Sequence, residues 1–252
     1  MAQRASSAPA ITLARVTVSY DRHPAVHHVS GRFGPGSLTA IVGPNGAGKT
    51  SLLRALTGEA RLDEGRLDRG GLAPSDIAYL PQQAALDRSF PISVLEVVMM
   101  GHWRRAGLFR RIGGAMRREA VEAIAAVGLA GFEARQIASL SAGQFQRVLF
   151  ARMLLQDCPV IVLDEPFTAI DARTTADLLG VVARWHGEGR SVIAVLHDHE
   201  LVRSHFPETL VLAREAIAWG PTAEVMTPAN ALRARMMAEA WAENAEPCAR
   251  AA

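Results

Sequence analysis

Lysine is almost absent from this 252-residue chain: Lys49 is the only one, and every other basic side chain is Arg. Such an Arg bias reflects genome composition, so the one position that keeps Lys reads as a place where a compact ammonium on a flexible stem is needed. Cysteine is scarce as well. Cys158 and Cys248 lie far apart and in no metal or redox spacing, which fits a reducing cytoplasm; Cys158 is expected as a small core residue and Cys248 as tail. No stretch approaches the roughly 18 apolar residues that a membrane span needs. Residues 1–10 are small and polar, carry no apolar segment of a secretory signal, and are expected to be disordered. An excess of either charge is lacking too: 27 basic and 25 acidic side chains give a net charge of +2, so no basic field argues for nucleic acid. Internal repeats and low-complexity tracts are absent. What remains is apolar material, 49% of the residues, enough for one large domain or one domain with a subdomain.

Lys49 stands in Gly43-Pro44-Asn45-Gly46-Ala47-Gly48-Lys49-Thr50-Ser51, the phosphate-cradling pattern G-x-x-x-x-G-K-[ST]. An apolar run, 38–42, precedes it and predicts a buried strand; a helical stretch, 52–57, follows and stops at Gly58, a natural C-terminal cap. Strand, glycine loop and helix is the context that the motif requires. The glycines let backbone N–H groups approach phosphate oxygens, and the helix N-terminus adds partial positive charge. Lys49 would reach the β- and γ-phosphates, and the Thr50 hydroxyl would face Mg²⁺.

Alternation of strand and helix signals predicts an α/β fold. Strands are expected at 11–20, 26–33, 38–42, 63–67 and 77–80. From about 93 to 157 the character changes: 94–100, 117–127 and 143–155 read as helices with little strand signal between them, a helical subdomain inserted in the core. Strands at 160–163 and 191–196 then flank a helix at 174–188. Two short strands, 209–212 and 216–219, precede a C-terminal helical stretch and tail over 231–252.

The strand Val160-Ile161-Val162-Leu163 ends in Asp164-Glu165. So apolar a strand presents its carboxylates in the crevice where α/β sheets bind ligands. Asp164 is suited to hold Mg²⁺ through water, and Glu165 to polarise the water that attacks a γ-phosphate. Leu140-Ser141-Ala142-Gly143-Gln144 opens the third helix of the insert. Taken alone, Ser141 and Gln144 have the spacing of a capping box and need mean nothing more.

Together these motifs resemble the nucleotide-binding subunits of ABC (ATP-binding cassette) transporters, over roughly residues 11–230. Leu140–Gln144 is similar to the family signature LSGGQ, with Ala142 in place of its first glycine and Ser141 and Gly143 intact. The resemblance implies a P-loop NTPase core of mixed sheet with helices, the helical insert, and an N-terminal antiparallel β region. It further implies a head-to-tail dimer that sandwiches two ATP·Mg²⁺, with Ser141, Gly143 and Gln144 serving the γ-phosphate of the nucleotide held by the other copy.

Other positions follow one at a time from the same resemblance. Tyr20 matches the aromatic that stacks on adenine, against ordinary strand packing as its alternative. Gln82, with Gln83 beside it leaving the register open, matches the loop glutamine that reaches Mg²⁺ and water and links core to insert. Asp171 matches the aspartate at the dimer seam, and His197 the switch histidine on the γ-phosphate. Two histidine groups, His23/His27/His28 and His197/His199, invite a metal reading. His27 and His28, adjacent on a strand, are expected on opposite faces and so unable to serve one site. The Arg-rich run 102–118 could be a solvated face, or could lie toward anionic lipid or a permease.

Within the family, residues 79–113, Glu165-Pro166-Phe167-Thr168 and Trp219-Gly220-Pro221-Thr222 look like the zinc/manganese-type metal importers, with iron-chelate and haem importers as the runner-up. The resemblance then implies an integral membrane permease, an extracytoplasmic metal-binding protein as indirect partner, no nucleic acid, and a place on the cytoplasmic face of the bacterial inner membrane. A soluble ABC-type protein of DNA repair or translation would carry tandem cassettes, coiled-coil insertions or zinc modules, none of which is here. A small-molecule kinase would have no use for Leu140–Gln144 or His197.

Overall fold

The computed structural model describes residues 8–21, 23–82, 87–103 and 113–243. Its centre is a six-stranded sheet in the order β5-β6-β7-β3-β8-β9, formed by β3 (Leu38–Val42), β5 (Ile77–Leu80), β6 (Val160–Asp164), β7 (Ser191–Val195), β8 (Glu208–Ala213) and β9 (Glu215–Pro221). All neighbours run parallel except β8 and β9. Strands buried on both faces read as near-continuous apolar runs, and β3, β6 and β7 are buried throughout, with Thr39, Asp164 and Ser191 as their polar members.

Successive residues of these strands feed two different cores. Leu163, Ala194 and Val42 face one, under helices; Val162, Val195 and Ile41 face the other. The second core is closed by α1 (Lys49–Thr57) and by a three-stranded antiparallel sheet, β2-β1-β4, made of β1 (Ile11–Tyr20), β2 (His23–Phe33) and β4 (Glu64–Asp68). Between β5 and β6 the described chain contributes α2 (Val94–Met99), α3 (Gly114–Ala126) and α4 (Ala142–Gln156), which pack on one another. After β6 come α5 (Ala172–Gly187), α6 (His199–His205), a single turn α7 (Thr222–Val225) and α8 (Pro228–Glu243). Trp185 on α5 is 1% exposed and stacks on Phe150 of α4, with centroids 5.6 Å apart and planes at 16°. Trp185→Ala is expected to cost about 3–5 kcal/mol, read as a lower denaturant midpoint, because so large a cavity cannot collapse.

Three expectations need correction. Ala8 is buried and its N–H donates to Gly189 O at 3.0 Å, so the segment 8–10 is held in place; residues 1–7 lie outside the described ones. The helix α6 has no counterpart in the sequence reading; seven residues are too few for a periodic pattern, although Asp198 caps it by accepting from Glu200 N and Leu201 N. His27 and His28 do not point to opposite faces. His28 has φ +48°, and the β1–β2 pairing shifts register here, so the two rings lie 4.0 Å apart. Each meets its own acid, His27 Glu215 at 2.8 Å and His28 Glu64 at 3.0 Å. Among the described residues no group of three or more His, Cys, Asp or Glu is placed to hold a metal ion, and no helix is long and apolar enough to cross a membrane. Cys158 is buried in the core as expected; Cys248, Gln83 and residues 104–112 of the Arg-rich run lie outside the described residues.

Candidate functional site

The strand order brings the C-terminal ends of β5, β6, β7 and β3 side by side, and the residues that leave those ends meet there. A cavity of about 620 Å³ is lined by residues 45–51, Ala25, Gln82, Glu165 and His197. The glycine loop leaves β3 and turns into α1 at Gly48, whose φ is +85°. A Cβ at Gly48 would lie 1.9 Å from Ala25 O, so only glycine fits under β2.

Lys49 is 7% exposed and its Nζ donates to Gly43 O and Pro44 O, both at 2.9 Å. Burial pushes its pKa down, while Glu165 and Asp164 pull it up. The ammonium is thus held inside the loop by two carbonyls that a phosphate can outcompete. Asp164 is 1% exposed; burial pushes its carboxyl above the usual range, against a hydrogen bond from Thr50. Its Oδ1 has no hydrogen-bond partner, and Tyr79 OH approaches Oδ2 only at 3.5 Å. An orphaned buried carboxylate oxygen beside a threonine hydroxyl is the donor set of a hard divalent cation.

Glu165 follows with φ +51°, a left-handed turn that is uncommon outside glycine and that ends β6. Its Oε1 meets His197 Nε2 at 2.6 Å, and its Oε2 accepts from Gln82 Nε2 at 2.8 Å. Gln82 faces the cavity, whereas Gln83 lies outside the described residues. Two side chains, from beyond the ends of β5 and β7, therefore converge on the carboxylate that follows β6.

The remaining candidates lie outside this cavity. Ser141 caps α4: its Oγ accepts from Gln144 N at 3.2 Å and Gln144 Oε1 accepts from Ser141 N at 3.1 Å. Asp171 caps α5 through Thr174, whose N–H and hydroxyl hold its carboxyl below the usual range. Gly143 sits against both, since a Cβ there would meet Thr174 Oγ1 at 3.2 Å and Asp171 Oδ2 at 3.5 Å. None of Ser141, Gly143, Gln144 and Asp171 lines the cavity. Tyr20 is 46% exposed at the end of β1, so it is not spent on strand packing.

Some supports had no signal in the sequence. Arg214, at φ +60° in the β8–β9 turn, donates its N–H to Ala47 O at 2.8 Å and Nη1 to Pro24 O at 2.7 Å, tying the glycine loop to β2. Gln146 Nε2 donates to Pro166 O at 2.8 Å, and Arg147 joins Val127 O to Asp177, so α4 is fastened to the segment after Glu165 and to α5.

Residues 26–168, more than half the chain, match the family model described as "ABC transporter". The chain belongs to the ABC transporter family. The manganese transport system ATP-binding protein MntB of Halalkalibacterium halodurans is 36% identical over 226 residues, 87% of this chain and 89% of that one. The zinc transport system ATP-binding protein TroB of Treponema pallidum is 37% identical over 238 residues, 93% of this chain and 90% of that one. Among solved structures, a metal-chelate type ABC transporter in an inward-facing conformation matches with a TM-score of 0.79 and 26% identity, covering 91% of this chain and 88% of that one. This ABC ATPase thus has the expected mixed-sheet core with its antiparallel β sheet, and it is a nucleotide-binding protein.

Proposed function

We propose that this ABC ATPase powers uptake of a divalent metal, zinc or manganese, through a separate permease, working as a head-to-tail dimer on the cytoplasmic face of the membrane with an extracytoplasmic metal-binding protein upstream. What carries the dimer is the incompleteness of the cavity. Lys49, Glu165, Gln82 and His197 gather in it, while Ser141 and Gly143 stand elsewhere at a capped helix start. A helix N-terminus with a serine cap is chemistry for a phosphate, and a second copy supplies the phosphate. The cargo rests on the two relatives named for manganese and zinc transport. An iron chelate is the second reading, favoured by the likeness to the metal-chelate transporter.

In the reaction, residues 45–51 cradle the triphosphate and Tyr20 stacks on the base. Lys49 leaves its two carbonyls for the β- and γ-phosphates. Glu165 accepts a proton from the attacking water, His197 donates to the γ-phosphate, and Gln82 moves from Glu165 toward water and the permease side. Thr50, Asp164 and Gln82 would hold Mg²⁺, which would neutralise negative charge on the triphosphate. Growth of a strain lacking the protein in metal-depleted medium tests the cargo. Rescue by added zinc or manganese supports the reading, and rescue by iron alone moves it to the chelate importers.

Asp164 offers a separate check. Its pKa is higher folded than unfolded, so its contribution to stability is complete below the unfolded pKa and is lost as pH rises through the folded one. Above that point the nucleotide-free fold holds a buried anion. Asp164→Asn is therefore expected to raise stability by about 1 kcal/mol at pH 8 and less at pH 4, while removing the effect of Mg²⁺ on ATP affinity. Thermal melts at both values with and without Mg²⁺ measure both halves.

A further inference from the structure

The first turn of α4 is held by more than its own cap. Residues 87–95 run back along 133–140, with Ile137 N donating to Ile92 O at 3.0 Å, Val94 N to Arg135 O at 2.8 Å, and Leu95 N to Glu133 O at 3.0 Å. Asp87 stiffens the start of this strap by accepting from Ser89 N and Ser89 Oγ. Arg88 projects from it onto the signature: its Nη2 donates to Leu140 O, and its guanidinium lies 4.9 Å from the centre of the Phe145 ring. Leu140 immediately precedes the Ser141 cap, and Phe145 is the fourth helical residue. These are the two positions that a hydrophobic staple joins to fix the angle at which a chain enters a helix. Here one planar cation grips both.

We propose that Arg88 is a positioning residue for the signature: it fixes the direction of Ser141 and the α4 N-terminus, so that they meet the γ-phosphate held by the second copy. This rests on the sandwich dimer of the preceding subsection. Arg88 does not line this chain's own cavity, so its loss is felt at the partner's nucleotide and not at its own. A planar fork can donate to a carbonyl and lie flat on a ring together, whereas an ammonium keeps the charge and its donors but has no planar face to stack.

The test compares the full chain with Arg88→Ala and Arg88→Lys, each also in a Glu165→Gln background. For Arg88→Ala, ATP binding to the monomer at low protein concentration is expected within about twofold of the parent. Its kcat is expected to fall about tenfold, as a misplaced group demands, with the ATP concentration for dimerisation of the Glu165→Gln form rising by a similar factor. Arg88→Lys recovers part of both. The proposal is overturned if Arg88→Ala keeps the parent's kcat and dimerisation midpoint while Glu165→Gln itself dimerises with ATP; the sandwich then stands without it. It is overturned equally if both variants lose monomer ATP affinity and melting temperature together, a folding role only. If Glu165→Gln alone never dimerises, the sandwich reading fails and takes this proposal with it.

Discussion

Glu165→Gln is expected to lower ATP turnover by about 100-fold or more while leaving ATP binding near normal. The expectation follows from where the carboxylate sits. His197 at 2.6 Å and Gln82 at 2.8 Å hold its two oxygens at the cavity wall, and its left-handed backbone turn fixes it there. A glutamine keeps the shape and loses the proton acceptor. It also removes one of the two negative charges that would face a γ-phosphate, so the ATP-bound form should tighten and accumulate as a closed dimer. Phosphate release, equilibrium binding and gel filtration with ATP read the three effects. Near-normal turnover would take the role of base away from Glu165.

Lys49→Ala is expected to weaken ATP binding by about 100-fold or more, since a desolvated charge-assisted contact is lost and no other lysine exists to replace it. Lys49→Arg is the sharper variant. This chain uses Arg at every other basic position, so if charge alone mattered Arg would serve here too. The site is narrow: Nζ reaches Gly43 O and Pro44 O at 2.9 Å from a side chain that is almost fully buried. A guanidinium is too wide and too rigid for that position, and Lys49→Arg is expected to lose most of the affinity as well. Titration with a fluorescent ATP analogue distinguishes the cases, and tight binding by the Arg variant would refute the argument from the lone lysine. The nucleotide-free fold should tolerate Lys49→Ala, because burial already disfavours the ammonium.

Much of this was legible in the sequence because the motifs are local. A glycine loop between an apolar strand and a helix, two acids at the end of an apolar run, and a serine three residues before a glutamine each carry their geometry within a few residues. β3, β6 and β7 read as near-continuous apolar runs for the same reason, being covered on both faces. Features that depend on a bulge or on contacts remote in sequence did not read. A two-residue period places His27 and His28 on opposite faces, and a single positive φ at His28 undoes it. Arg88, Gln146, Arg147 and Arg214 carry no local signal, because their acceptors are distant in the chain.

The sequence by itself determined that Lys49 stands in a glycine loop of the phosphate-cradling pattern, and that Asp164 and Glu165 end a buried strand. Only the tertiary structure decided that Gln82, Glu165 and His197 touch. Their strands, separated by 83 and 32 residues at the contacts, become neighbours through the order β5-β6-β7, which no local pattern encodes. It also decided that the signature turn lies outside the cavity its own chain builds. Parallel strands force long crossovers, and the helical crossover between β5 and β6 carries Ser141 away from the glycine loop.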